Sequence, residues 1–318
     1  MSILITGGAG LLSSWVSYYL AQKGKEVISF DLKPRSFDYL EEYQDKIVSV
    51  RGDVLDWSSL VRTFQSHNQE IEGVIHTPAV MASPRYWDNP YPSSVLNVVG
   101  TLNLLELSRL YQVPKFLYVS SGAVYGETKY CPGELSHPPN PSDLYGASKA
   151  GAEFLTLQYG NHYGLDVRIV RPYFFFGPGY FPSEMTPVFR TLLGSIEGLD
   201  NLYLEKGKDQ KLGFTYVKDT AWGTVLAYEK KNLQHRVFNI ATDEVTSFPD
   251  LAKLAQRHSD EPREVVLGPG KLFPRGETLD ISLAKEELGF APRYSMEEAV
   301  AEYARWIKGK ISQLRKEN

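Results

Sequence analysis

The chain carries almost no cysteine. Cys131 stands alone among 318 residues, so no intrachain disulfide can form, which fits a reducing compartment such as the cytoplasm. Nothing beside Cys131 in sequence suggests thiol activation. The six histidines show no paired ligand spacing, and no structural or catalytic metal is expected. Charge of one sign is also scarce: the net charge is −4, and no run of Lys or Arg is long enough to track a phosphate backbone. Nucleic acid is therefore not an expected partner. Long hydrophobic runs are missing, which excludes a membrane-spanning helix as an expectation. Met1-Ser2-Ile3 lacks a basic segment and leads straight into a glycine turn, so no signal peptide is expected. There is no internal repeat and no low-complexity linker.

What is present is an alternation. Ser2–Thr6, Glu26–Phe30, Ile47–Val50, Gly73–His76, Lys115–Ser120 and Val167–Val170 read as strands. Leu11–Lys23, Asp56–Ser66, Ser93–Tyr111 and Asp143–Tyr163 read as the helices between them. That order predicts an α/β fold, a doubly wound parallel sheet with helices on both faces. After Arg171 the texture changes to aromatics, Pro and Gly over Pro172–Pro182, a loop placed to line a pocket at the carboxyl ends of the strands. The expected division is residues 1–171 as a dinucleotide-binding unit of Rossmann type. Residues 172–318 would be mainly a smaller substrate-binding lobe, with some later segments returning to the first unit.

The first strand runs into Gly7-Gly8-Ala9-Gly10-Leu11-Leu12-Ser13 and then a helix. Glycine serves where backbone must turn tightly and approach a pyrophosphate, and the helix N-terminus behind it offers unpaired N–H groups. Ser13 occupies the usual third glycine position. Asp31 ends the second strand about 20 residues on, where a carboxylate bonds ribose hydroxyls and repels a 2′-phosphate; NAD is the expected cofactor. Lys33 and Arg35 lie close by and pull the other way. Asp53, followed by Val54, is placed to accept from the adenine amine or simply to cap a turn.

Tyr145-Gly146-Ala147-Ser148-Lys149 opens a predicted helix with Asp143 as its cap. Residues four apart share a face, so a phenol and an ammonium can meet in one cavity; the positive charge favours tyrosinate and suits Tyr145 to proton transfer. Ser121, in Ser120-Ser121-Gly122-Ala123-Val124-Tyr125-Gly126 after the preceding strand, can bind the reacting oxygen. Both serines can equally be turn residues.

With these motifs the chain resembles the extended short-chain dehydrogenase/reductase family, in its NAD-dependent epimerase/dehydratase branch. The resemblance also rests on His76-Thr77-Pro78-Ala79, Asn97-Val98-Val99-Gly100-Thr101, Phe214-Thr215-Tyr216-Val217-Lys218-Asp219 and Arg275-Gly276-Glu277. It implies that Tyr145 transfers the proton, Lys149 binds ribose and tunes it, and Ser121 orients the substrate. It further implies cofactor contacts from Gly7, Gly10, Leu11 and Leu12, from Thr77, Pro78 and Ala79, and from Pro172. Asn97 would be structural, and Pro78 stands where the family has alanine. Phe174, Phe176, Lys211 and Arg275 are the implied substrate contacts. In relatives the helices matching Ser93–Tyr111 and Asp143–Tyr163 form a dimer interface. Leu102, Leu105, Phe154 and Leu157 would suit a homodimer here, or burial within one chain.

Three departures narrow the reaction. Dehydratases of this type place an Asp-Glu pair after the catalytic hydroxyl residue; here those positions are Gly122 and Ala123. Nucleotide-sugar epimerases carry Asn at the position of Phe174 and Arg-Asp at Leu212-Gly213. Leu cannot make the charge-assisted contact that Arg gives a diphosphate. The leading expectation is thus an NAD-dependent oxidoreductase or epimerase on a carbohydrate-like hydroxyl, such as a free sugar or sugar acid. The alternatives are a nucleotide-sugar epimerase with a diverged diphosphate site, or a non-catalytic NAD-binding regulator.

Overall fold

The computed structural model describes residues 1–67, 71–79 and 89–317. Its centre is a seven-stranded, wholly parallel sheet. The strands are β1 (Ser2–Thr6), β2 (Glu26–Asp31), β3 (Ile47–Arg51), β4 (Ile71–His76), β5 (Lys115–Val119), β6 (Asp166–Pro172) and a late strand, Val237–Ile240. Across the sheet the order is β3-β2-β1-β4-β5-β6 and then the late strand. The order reverses between β1 and β4, which opens the crevice where ligands bind in doubly wound sheets.

The inner strands β1, β4 and β5 are largely apolar because both faces are covered, whereas the edge strand β3 is mostly exposed. Successive side chains alternate: Ile3 and Ile5 face one core layer, Leu4 the other, and all three are fully buried. The flanking helices begin where the sequence offers caps. Asp56 accepts from the Ser58 and Ser59 amides ahead of α2 (Trp57–Ser66), whereas α1 (Leu11–Gln22) starts from Gly10 with no side-chain cap. The next two helices, α3 (Pro90–Leu110) and α4 (Leu144–Tyr163), pack side by side. A left-handed Gly164 ends α4.

The second half of the chain is interleaved with the first. Two-residue strands β7 (Phe175–Phe176) and β10 (Thr215–Tyr216) pair in parallel below the aromatic loop. Helix α5 (Pro187–Glu197) and the pair β8 (Leu202–Leu204) with β13 (Val265–Leu267) build the outer part. β9 (Lys211–Leu212) pairs with β12 (Thr246–Ser247). Helix α6 (Val217–Glu229) packs on α1, and β11 (Val237–Ile240) is the late strand that extends the main sheet beside β6. The apolar layer under α1 therefore runs on without a break into α7 (Phe248–Arg257) and α8 (Met296–Glu317), through Leu251, Val300 and Tyr303. No helix among the described residues is long and apolar enough to cross a membrane.

Candidate active site

The glycine loop sits at the β1/β4 crevice. Gly7 is left-handed at φ 68°, and a Cβ there would stand 2.7 Å from Thr77 Oγ1 and 3.0 Å from the Pro78 nitrogen. A Cβ on Gly8 would fall 2.9 Å from the Cα of Ser29 on β2. The loop thus needs glycine for conformation at one position and for close approach at the next. Ser13 does more than fit: its hydroxyl donates to the Gly7 carbonyl and to the Gly10 carbonyl at 3.2 Å, holding the turn closed from inside the helix. Since no side chain caps α1, its first amides remain directed at the crevice, a donor set suited to a pyrophosphate.

Asp31 lies beside this loop, accepting from the Ala9 amide at 3.1 Å and the Lys33 amide at 2.8 Å. A half-buried carboxylate so held suits ribose hydroxyls. Arg35 pairs with Glu184 at 2.9 Å and lies over the Tyr180 ring at 4.9 Å. Asp53 accepts from the Leu55 amide at 2.9 Å, the turn-capping contact, and Val54 is buried against Gly100. Thr77 donates to the Thr6 carbonyl at 2.7 Å, and Pro78 and Ala79 follow it half-buried at the crevice edge. Leu11, Leu12 and Pro172 are buried around the same strand ends. These residues fit a dinucleotide.

The second constellation lies at the carboxyl end of β5. Ser121 caps a single 3-10 turn, Gly122–Tyr125, its Oγ accepting from the Ala123 amide at 3.1 Å. Its own proton is left to donate to a bound oxygen. Asp143 caps α4 by accepting from the Gly146 amide at 2.6 Å, which sets Tyr145 in the first turn, half-buried. One turn on, Lys149 is fully buried; its Nζ donates to the Val119 carbonyl at 2.7 Å and lies 4.6 Å from the Tyr118 ring centre. Burial pushes this ammonium down to about 7, with the Glu153 charge pulling the other way. Asn97 donates to Ser148 at 2.9 Å, and Ser148 donates to the Tyr145 carbonyl at 2.8 Å, so Asn97 braces the turn that carries Tyr145.

The expected substrate contacts divide. Phe174 adopts φ 36° and sets its ring 5.2 Å from Phe273. Arg275 lies over the same Phe273 ring at 5.6 Å, and 3.6 Å from Asp143. Those two are brought together near the start of α4. Lys211 is exposed on the short β9–β12 edge. Phe176 corrects the sequence reading: it is fully buried among Phe189, Tyr216 and Tyr303 and belongs to the core, not to a ligand surface.

Sequence reasoning passed over two features. Tyr180 donates to the Ala9 carbonyl at 3.3 Å and Trp15 to the Pro178 carbonyl at 2.7 Å, so the aromatic loop is fastened to the glycine loop and its helix. Glu153 and Arg171 form a buried bidentate ion pair, 2.9 and 2.6 Å, behind Lys149. The Tyr145-Lys149-Glu153 spacing was the available signal for the acid; its partner lies on another element.

The chain is similar to known NAD-dependent epimerases and dehydratases. Residues 3–241 match the model of the NAD dependent epimerase/dehydratase family. A putative UDP-glucose 4-epimerase of Methanocaldococcus jannaschii is 29% identical over 316 residues, covering 96% of this chain and 98% of that protein. A dTDP-glucose 4,6-dehydratase of Streptomyces antibioticus is 29% identical, covering 97% and 92%. Among solved structures, the UDP-glucose 4-epimerase of Thermotoga maritima with UDP-glucose is 30% identical and superimposes with a TM-score of 0.86, covering 98% and 100%. The chain therefore belongs to the NAD-dependent epimerase/dehydratase family, whose members are NAD-dependent enzymes of the extended short-chain dehydrogenase/reductase type.

Proposed function

We propose that this protein is a nucleotide-sugar 4-epimerase. The observation that carries the reading is the composition of the turn after β5. Ser121 and the Tyr145–Lys149 helix turn provide for removing a hydroxyl proton, yet Gly122 and Ala123 offer no carboxylate for elimination. Gly122 could not accept one: a Cβ there would lie 2.6 Å from the Tyr173 ring. This favours the chemistry of the epimerases among the relatives above over that of the dehydratase. Their named substrates also favour a nucleotide sugar over the free sugar expected from Leu212-Gly213. Leu212 is fully buried, and the Gly213 amide donates to the Glu277 carbonyl at 2.6 Å, so this segment is a packing element. Arg275, only 15% exposed and beside Phe273, is the described cation that this reading assigns to a diphosphate.

In this mechanism Tyr145 takes the proton from the sugar hydroxyl while the Ser121 hydroxyl donates to the same oxygen as it becomes a carbonyl. Bound NAD supplies a hydride acceptor and, on return, a hydride donor. Lys149, poised near neutrality by burial, stabilises the phenolate form of Tyr145 by its charge and stands where a ribose hydroxyl can bond it. The polar groups of the crevice hold the ketone until it has turned its other face, and Tyr145 then returns the proton. Incubating the NAD-loaded protein with UDP-glucose, UDP-glucuronate, dTDP-glucose and free hexoses checks the reading. Epimer from a nucleotide sugar without net NADH is the expected result. Turnover of free hexoses alone would overturn it.

The proposal extends to a homodimer. Helices α3 and α4 leave Val99, Leu102 and Phe154 exposed at 40%, 36% and 55%, an apolar surface suited to a second copy. Leu105, by contrast, is fully buried within the chain. Phe154→Glu is expected to give a monomer in sedimentation equilibrium at concentrations where the wild type is dimeric. A wild type that sediments as a monomer contradicts this.

A further inference from the structure

Lys149 and Glu153 lie one turn apart on α4, the spacing at which an ammonium and a carboxylate ordinarily pair. They do not pair here. Both Glu153 oxygens are taken by Arg171 of β6, from Nε at 2.9 Å and from Nη2 at 2.6 Å, while the Lys149 ammonium turns to the Val119 carbonyl. The guanidinium is fixed from behind as well: Nη1 donates to the Tyr125 hydroxyl at 2.7 Å, which donates on to Asn239 Oδ1 at 2.9 Å. Arg171 and Glu153 are 5% and 2% exposed, so water screens little of their field.

The other groups around the lysine leave Glu153 as its counter-charge. His76 on β4 is fully buried and neutral, since burial and the nearby Lys149 push it down to about 3. Burial pushes the Tyr118 phenol of β5 well up, so it too is neutral. On its own helix Lys149 has Tyr145 one turn before it and Glu153 one turn after. Around the guanidinium stand Glu153, Tyr125 and the more distant Glu134, whose carboxyl burial pushes up.

We propose that Arg171 is a positioning residue for the reaction, drawing the Glu153 carboxylate away from Lys149 and so setting how tightly that lysine holds its proton. The proposal rests on the reading of Lys149 as the lysine of the catalytic pair. Without Arg171, Glu153 is free to pair along its own helix, and the ammonium then persists to higher pH.

The test is the titration of Lys149 itself, by carbon-13 NMR of lysine-labelled, NAD-loaded full chain, the resonance being assigned through Lys149→Arg. Arg171→Gln is expected to raise the midpoint by about one pH unit or more. Arg171→Lys keeps the charge and should hold the midpoint near wild type, even where stability falls. Replacing both partners by Met removes both charges, a change that buried pairs often tolerate, and should also leave the midpoint near wild type. If Arg171→Gln does not fold, the Glu153→Gln background decides: Glu153→Gln should lower the midpoint, adding Arg171→Met to it should bring the midpoint back toward wild type, and no recovery would overturn the proposal. An unmoved midpoint in folded Arg171→Gln, or an equal rise in Arg171→Lys, would overturn the proposal. No substrate enters this experiment, so failure to epimerise any nucleotide sugar would sink the functional reading without touching this one.

Discussion

Tyr145→Phe is expected to lose about three orders of magnitude in kcat while folding and binding NAD much as the wild type does. The substitution removes one oxygen and keeps the ring. Tyr145 is half-buried in the first turn of α4, where the cap from Asp143 and the Asn97–Ser148 brace act on the backbone and on neighbouring side chains. Neither depends on the phenol. What is lost is the group that moves the hydroxyl proton, so the deficit should fall on kcat more than on KM. Initial rates on the best nucleotide sugar, with NAD affinity measured separately, check this. Equal activity in the variant would remove Tyr145 from the mechanism.

Lys149→Met should separate catalysis from stability. In the unfolded chain a lysine keeps its proton to about 10.5, whereas burial in the folded protein lowers this to about 7. Between those values the unfolded chain binds more protons than the folded one. Wild-type stability therefore rises with pH across that window and is lowest below about 7, where the buried ammonium must be tolerated. At about 1.4 kcal/mol per pH unit, the handicap below neutrality is several kcal/mol. Methionine carries no charge and packs against the Tyr118 ring. It leaves the Val119 carbonyl without this donor, a cost of about 1 kcal/mol. The variant should thus be the more stable protein under mildly acid conditions, with its lead shrinking as pH rises. Its kcat should fall about 100-fold or more. Urea unfolding without added NAD, at mildly acid and at alkaline pH, reads the first effect. A lead that grows with pH would contradict the burial account.

Much of the fold was legible because its signals are local. The strand Ser2–Thr6 and the capped starts of α2 and α4 follow from apolar runs, Asp56 and Asp143. The glycine loop and the Tyr145/Lys149 turn were legible for the same reason: all their parts lie within a few residues of one another. What was missed depends on partners distant in sequence. Strands β7, β9, β10 and β12 have two residues each and exist only through their pairing. The place of β11 beside β6 is a matter of crossover, not of periodicity. Phe174, Phe175 and Phe176 look alike in sequence, and only the packing of Phe176 on Tyr303 separates core from crevice. Helix α5 could have been found. Thr186, Pro187 at its first turn and the left-handed Gly198 are ordinary start and stop signals, but the aromatic, Pro- and Gly-rich stretch before them has loop composition. The Glu153–Arg171 pair joins a helix to a strand and is visible only once both are in place.

The most direct test of the central claim follows one hydrogen atom. NAD-loaded protein is given UDP-glucose carrying deuterium at the carbon that bears the 4-hydroxyl, and the product is analysed by proton NMR and mass spectrometry. Oxidation by hydride removal and return within one site predicts an epimer that keeps its deuterium at that carbon, takes none of its hydrogen from water and leaves no net NADH. An epimer with solvent hydrogen at that carbon, or deuterium released into free NADH, would contradict it.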